Sequence, residues 1–473
     1  MARAVRVAVV GGGVSGLVAA YRLRSELGPD AQIDLLEAGE TLGGLLKTVD
    51  VGGISVDVGA EAFIVRRPEA MALVTELGLT DRLVSPTPRR PAVYSGGRLH
   101  PLPRPALMGI PAGPGAVAGL VDDADCKRIA EEPDRGLAWV PGTDVSVGEL
   151  VADRFGESVV SRSVDPMLGG VYSCLSADIG VREALPALAA KLDVGSPSLS
   201  AAVAELTGRP GGSGPADTSP VFGTLVGGYR VLVDALLDAA SPNVHVCSAV
   251  TDFAGNAAEG WVPLCGRSPA GSETPYDAVV LAVPAWLAGH ALRSAAPDAA
   301  ATLRSVERAG SAVVSLTLAP DTPLPEHSGV LVASGEDLRA KAFTFSSHKW
   351  AHLGEAGAPR SVRASFGRYG QPVPDECTQP GIDADLLTWA LADLDHVCVT
   401  AGVPPLSGQV IGSFIQRWEL PRYAPGHLAV MSTLADRMPP GIVLAGNAYA
   451  GVGVPACIGV ADAAVRRLAP QLR

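Results

Sequence analysis

The stretch Val7-Ala8-Val9-Val10-Gly11-Gly12-Gly13-Val14-Ser15-Gly16-Leu17 decides how the chain begins to fold. An apolar strand turns on Gly11, Gly13 lets a pyrophosphate approach the backbone, and Gly16 lets a helix pack closely; this is the dinucleotide fingerprint. Gly12, Val14 and Ser15 complete the turn and the helix start, whose amides favour an anion. Farther on, Ile33-Asp34-Leu35-Leu36-Glu37-Ala38 ends a second apolar strand on a carboxylate that can accept hydrogen bonds from a ribose hydroxyl. The spacing of Leu17, Ala20, Tyr21, Leu23 and Arg24 predicts the helix between the two strands. An adenine dinucleotide is the expected ligand.

Length and composition bound the rest. A chain of 473 residues exceeds one ordinary core and predicts two or three domains. Hydrophobic residues at 47% and charged residues at 18% fit a globular enzyme and exclude a disordered chain. A net charge of −12 argues against nucleic acid as a partner. No apolar run reaches the roughly 18 residues of a membrane-crossing helix. The N-terminus enters the first strand at once, so no signal peptide and a cytoplasmic location are expected, with at most peripheral membrane contact. The seven cysteines are scattered and predict reduced thiols; the eight histidines show no ligand spacing, so no metal is expected.

Along the chain, a helical pattern after Pro68 ends at Gly78, and residues 93–102 read as a hairpin around Ser95-Gly96-Gly97. From Arg104 to Asp122 the prolines forbid a continuous helix. That stretch reads as a loop packed on the body, or as one that dips into a membrane surface or lines an apolar tunnel. Residues 145–206 suggest a helical subdomain with breaks at Pro166, Gly169-Gly170 and Pro186, and 207–220 a flexible loop. Ala278-Val279-Val280-Leu281 reads as a buried parallel strand. Residues 311–370 alternate as an antiparallel sheet, and Ile442-Val443-Leu444-Ala445 leads through Gly446-Asn447 and Gly451 to Gly453 into a last helix. The expected fold is α/β: a Rossmann-type dinucleotide domain (1–85, 221–290 and 411–473), an α+β substrate domain with an antiparallel sheet (86–104 and 291–410), and a helical subdomain (105–220).

The last junction favours flavin over nicotinamide, because a flavin enzyme uses a second glycine-rich helix start for its ribityl chain and ring. Gly11 to Gly16, Glu37, Gly43-Gly44, Asp57 to Glu61 and Gly446 to Val454 together resemble the FAD-dependent amine oxidase superfamily over essentially the whole chain. Finer matches are similar to the protoporphyrinogen/coproporphyrinogen oxidase family: Gly59-Ala60-Glu61-Ala62-Phe63-Ile64 with Arg67-Pro68, Leu99-His100-Pro101-Leu102-Pro103, Ser146-Val147-Gly148-Glu149-Leu150 with Arg154-Phe155-Gly156, Asp165 to Tyr172, Ser346 to Trp350, and Gly453 to Ile458. Ser173-Cys174-Leu175-Ser176 departs from the small and acidic residues usual after that tyrosine, and Asn447 stands where many relatives have Asp.

The resemblance implies a six-electron oxidation of coproporphyrinogen III to coproporphyrin III in haem biosynthesis, with FAD as cofactor, oxygen as acceptor and hydrogen peroxide released. Transient contact with the next haem-pathway enzyme is expected. No catalytic side chain is expected, because the flavin accepts hydride and aromatisation drives the reaction. By the resemblance, Lys47, Gly59, Ala60, Glu61, Ala62, Val250, Asn447 and Val452 join the glycines as cofactor residues, and Trp418 packs near the flavin or serves as a plain core residue. Gly169 and Gly170 wall the substrate slot or break a helix. Val330 and Val332, or alternately Leu331, present an apolar face to the macrocycle. Arg89, Arg90, Arg98, Lys341 and Lys349 are the candidate propionate partners. The alternatives are a protoporphyrinogen IX oxidase, a flavin amine oxidase, or an inactive FAD-binding partner protein. Amine oxidases commonly carry a lysine before the strand that reads Gly310-Ser311-Ala312-Val313, and no lysine occurs here between Lys191 and Lys341.

Overall fold

The computed structural model describes residues 3–208 and 220–472; the loop expected at 207–220 falls mostly outside them. Five parallel strands form one sheet in the order Asn243–His245, Gln32–Leu36, Arg6–Val10, Ala278–Leu281 and Ile442–Leu444. Both faces are covered, as continuous apolar runs require. Val7, Val9, Ile33, Leu35 and Val280 pack under the helices Val14–Leu27 and Val454–Leu468. Ala8, Val10, Leu36 and Leu281 point the other way, toward the helices Ala285–Ala291 and Pro297–Arg304. The two ends of the chain therefore build one layer. Residues 291–304, expected in the substrate domain, pack here, because their alanines and leucines fit the second face of this sheet.

A seven-stranded sheet stands apart from it, ordered Val410–Pro421, Arg308–Leu318, Arg360–Phe366, Ala342–Thr344, Gly329–Val332, Ala92–Ser95 and Arg98–Pro101. All neighbours are antiparallel except Gly329–Val332 with Ala92–Ser95. The expected hairpin is its far edge. Val410–Pro421, expected in the dinucleotide domain, pairs with Arg308–Leu318 and forms the opposite edge. Its alternation marks a strand but not which sheet it joins. One face of the sheet packs against the helix Ile382–Thr400 through Leu386, Leu394 and Val397.

Helices fill 147–207 as expected, with corrections in detail. Pro186 opens the helix Pro186–Asp193, where a missing amide costs nothing, whereas Pro166 follows a π-helical turn, Val160–Val164, that runs directly into Asp165–Tyr172. The helix Asp165–Tyr172 runs through Gly169-Gly170, so those glycines do not break it. Residues quoted for the resemblance hold this region together. Ser146 and Glu149 form a capping box. Buried Arg154 meets Glu132 at 3.0 Å, and Glu132 also accepts from Leu199 N and Ser200 Oγ. Asp165 accepts from Ser176 N at 2.8 Å and from Ser334 Oγ at 2.9 Å, tying its helix to the sheet loop. Between Arg104 and Asp122 the chain packs as a loop, with Ile110, Val117, Leu120 and Val121 buried against the helices. Among the described residues no helix is long and apolar enough to cross a membrane.

Candidate active site

The turn after the first strand is fixed by glycine geometry. Gly11 has φ +105° and its amide donates to Leu36 O at 2.7 Å, clamping the first two strands together. A Cβ on Gly16 would lie 1.8 Å from Gly11 O, so only glycine permits this approach of helix to turn. Gly13 begins the helix Val14–Leu27 with no side-chain cap, and the first turn carries no acidic residue. Its terminal amides and dipole are left for a ligand. Glu37 accepts from Gly12 N and Gly39 N, each at 2.7 Å, which fixes its carboxylate beside the turn. Gly43 N reaches Gly12 O at 2.8 Å, and Gly44, at φ +57°, lies against Gly13.

A cavity of about 750 Å3 runs along this turn. Gly11, Gly13, Val14, Ser15, Glu37 and Ala38 line it from the N-terminal side; Gly44, Val250, Trp418, Gly446 and Asn447 line it from the rest. The loop at Asn447 is held by Tyr423, whose hydroxyl donates to Asn447 O at 2.6 Å and accepts from Gly451 N at 2.8 Å. Gly453 begins the helix Val454–Leu468, again with no side-chain cap and no acid in the first turn. Gly12, Gly16, Gly43 and Gly453 shape the cavity without lining it, and Ala62 stands outside it. Lys47 is also outside, donating to Gln416 Oε1 at 2.9 Å.

A second cavity of about 210 Å3 shares Val14, Leu45, Trp418 and Cys457 with the first. Gly59, Ala60, Val452 and Val454 line it, together with Gly170 and Lys341 from the expected substrate set. Trp418 stands between the two cavities, its indole N–H bonded to Val58 O at 2.9 Å, and is not a plain core residue. Leu331 lies opposite Gly170, where an added Cβ would meet its Cδ2 at 3.9 Å. Val330 and Val332 point the other way and are buried in the core of the sheet. The alternation settles on Leu331 for the face toward Gly170. Gly169 is buried one position back and does not line the cavity.

The cations divide by what they already touch. Lys349 donates to Glu61 Oε2 at 2.6 Å, and Ser346 donates to Oε1. Burial alone would raise the Glu61 carboxyl; Lys349 and then Arg363 outweigh it and hold it at about 2. Lys349 is therefore neutralised and Glu61 is engaged away from both cavities, on a small internal void it shares with Asp57. Burial pushes Asp57 up to about 6, against the hydrogen bonds it accepts from Thr48 Oγ1 and Tyr229 N. Arg89, Arg90 and Arg98 lie on the exposed surface outside both cavities, Arg89 donating to Glu326 O at 3.2 Å.

Sequence reasoning missed Arg363, Leu45, Cys457, Ser173 and Ser311, all on the second cavity. Arg363 donates to Gly59 O at 2.7 Å, pairs with Glu61 Oε1 at 4.0 Å and has a buried Nε with no partner among the described residues. Its only signal is its place in the inward register of an alternating strand. Cys457 follows Val454 by three residues on one helix and so shares its face.

Known proteins agree with this architecture. The profile of the flavin containing amine oxidoreductase family matches residues 14–469. A coproporphyrinogen III oxidase of Mycobacterium leprae is 44% identical over 466 residues, covering 98% of each chain. That of Mycobacterium bovis is 46% identical over 460 residues, 97% of this chain and 96% of its own. A solved structure from Exiguobacterium sp. 255-15 superposes with a TM-score of 0.82 at 25% identity, covering 99% of both chains. The chain belongs to the flavin-containing amine oxidoreductases and, within them, to the family of the coproporphyrinogen III oxidases.

Proposed function

We propose that the chain is an oxygen-dependent coproporphyrinogen III oxidase, with FAD in the larger cavity and the reacting edge of the macrocycle in the smaller one. The fit to FAD rests on two helix starts without caps or acids: the one at Gly13 lines the larger cavity, and the one at Gly453 lies where the two cavities meet, with Val454 on the smaller and Cys457 on both. The first suits a pyrophosphate, with Glu37 beside it for the ribose; the second suits the ring end, with Asn447 for the ribityl chain. When bound, the flavin supplies a two-electron acceptor that dioxygen regenerates.

The observation that carries the reading is the shared wall at Trp418. A second, largely apolar cavity adjoins the dinucleotide groove there, and the Lys341 amine and the Arg363 guanidinium, which lies 4.0 Å from Glu61 Oε1, form its polar end. A volume of about 210 Å3 is below the usual size of a whole ligand pocket, so it takes one methylene bridge and its flanking pyrroles. Gly170 leaves room for the ring, and Leu331 packs beside Gly170, outside the lining of the cavity. Val452, Val454 and Leu420 make the rest of its wall apolar. Positioning is the chain's main contribution.

The purified protein is expected to be yellow, to lose that colour with coproporphyrinogen III without oxygen, and to release fluorescent porphyrin and hydrogen peroxide in air. Colour without bleaching would make it an inactive FAD-binding protein. A strong preference for protoporphyrinogen IX would replace the four-propionate substrate with the two-propionate one.

A further inference from the structure

The polar end of the second cavity is built around one amine. Lys341 is 6% exposed, and its Nζ has three acceptors: Gly367 O at 2.7 Å, Ser173 Oγ at 2.8 Å and Ser311 Oγ at 3.1 Å. None is a carboxylate, although a buried ammonium without a counter-ion is costly. The charged and titratable groups around it are Arg368, Arg363 and Cys174. Carboxylates on the packed elements are engaged elsewhere: Asp165 by Ser176 and Ser334, Asp178 by Arg422, Glu61 by Lys349. Burial first, then the Arg368 guanidinium, pushes the ammonium down to about 7.

This cradle suits both protonation states. As an ammonium, Lys341 meets three acceptors with three protons. As an amine it keeps two donors, for Gly367 O and one serine, while its lone pair accepts from the other hydroxyl. A carbonyl cannot reverse its role, but a rotating hydroxyl can. A carboxylate in place of either serine would lock the charged form.

We propose that Lys341 is the proton acceptor of the oxidation, taking the proton that leaves the macrocycle with each hydride. The inference rests on the reading that a porphyrinogen enters this cavity. In each of the three two-electron steps a methylene bridge gives a hydride, with its electron pair, to the flavin, and the macrocycle gives a proton to Lys341. In two steps that proton leaves a pyrrole nitrogen and in the other it leaves the fourth methylene bridge, so four C–H and two N–H bonds break in all and each step adds a double bond to the macrocycle. Dioxygen carries off the hydride and the proton together as hydrogen peroxide, and Lys341 returns to the amine. Ser173 and Ser311, which line the cavity beside it, hold the amine in place or relay the proton. The sequence reading named no catalytic side chain, and this buried amine is the exception.

The test is anaerobic stopped-flow bleaching of the flavin by coproporphyrinogen III across about pH 5.5 to 9. The wild-type rate rises about tenfold per pH unit and levels above neutrality, as for a base that must be unprotonated. Lys341→Met and Lys341→Arg each lose about 100-fold and the acid limb with it, and added methylamine restores part of the rate in Lys341→Met. Ser311→Ala moves the limb to lower pH, because the ammonium loses an acceptor. Lysine NMR of the wild-type protein finds one amine titrating near neutrality that is missing from both Lys341 variants. Either variant bleaching within about twofold of wild type with the limb intact overturns the proposal. So does a Lys341 amine that titrates at the ordinary value near 10.4. If the Lys341 variants do not accumulate, the limb of Ser311→Ala decides: a shift supports the proposal and an unmoved limb overturns it. A wild-type protein that holds flavin but is not bleached overturns the functional reading itself.

Discussion

The groove at Gly11–Gly16 and the cavity at Gly170 and Lys341 share Trp418, yet they are built from different materials. The turn at the groove's N-terminal end is backbone: Gly11 and Gly44 at φ values other residues avoid, and an uncapped helix start at Gly13. The cavity is side chains brought from the helix Asp165–Tyr172, the strands Arg308–Leu318 and Arg360–Phe366, and the helix Val454–Leu468. Backbone sites tolerate change poorly and at few positions. A side-chain cavity spreads its function over residues whose roles depend on their partners, as Lys341 and Lys349 show: one amine is cradled by hydroxyls, the other is neutralised by Glu61.

The largest effect expected is at Gly16. A Cβ would need the space of Gly11 O, so Gly16→Val should yield protein without flavin, or no folded protein, by absorbance and yield. Retention of the full flavin content would break the account of the groove. Next is Gly170, where an added Cβ meets nothing closer than Leu331. Gly170→Phe should keep the flavin spectrum and gain about 0.5 kcal/mol of helix stability while losing about 100-fold in turnover, about 2.7 kcal/mol of barrier. That opposition of stability and activity would separate cavity from groove most sharply.

Glu61→Gln should lower unfolding stability by about 2 kcal/mol at neutral pH, because Lys349 is left without its counter-charge. The folded carboxyl is held at about 2 against 4.5 when free, so its contribution is present above about pH 4.5 and is lost as pH falls toward 2. Denaturant titrations of the two proteins should converge at acid pH; a gap that persists there would mean that packing, not charge, is lost. The smallest effect is expected at Arg89, Arg90 and Arg98. Alanine at each should change KM for coproporphyrinogen III by no more than about twofold, as for solvated surface charges.

Local pattern made the groove readable. Gly11, Gly13, Gly16 and Glu37 act within one strand–helix–strand unit, where spacing alone determines who meets whom. The second helix start at Gly453 was readable for the same reason. Partners far apart in sequence were not. Val410–Pro421 shows a strand pattern but no signal of its pairing with Arg308–Leu318, and Ala285–Arg304 none of the sheet face it covers. Charge shows cations but not their counter-ions, so Lys349 and Lys341 look equivalent until Glu61 and Ser173 are placed beside them. Alternation left open whether Leu331 or its neighbours faces the macrocycle, since it gives two faces without naming the inner one.

Diffraction from crystals of the yellow protein grown with coproporphyrin III tests the division into groove and cavity most directly. The account predicts flavin density along Gly11 to Gly16 and Gly446 to Val454, and one edge of the porphyrin between Gly170 and Trp418 with Lys341 at its polar side. Porphyrin bound instead at the exposed arginines Arg89, Arg90 and Arg98, with the second cavity empty, would contradict it.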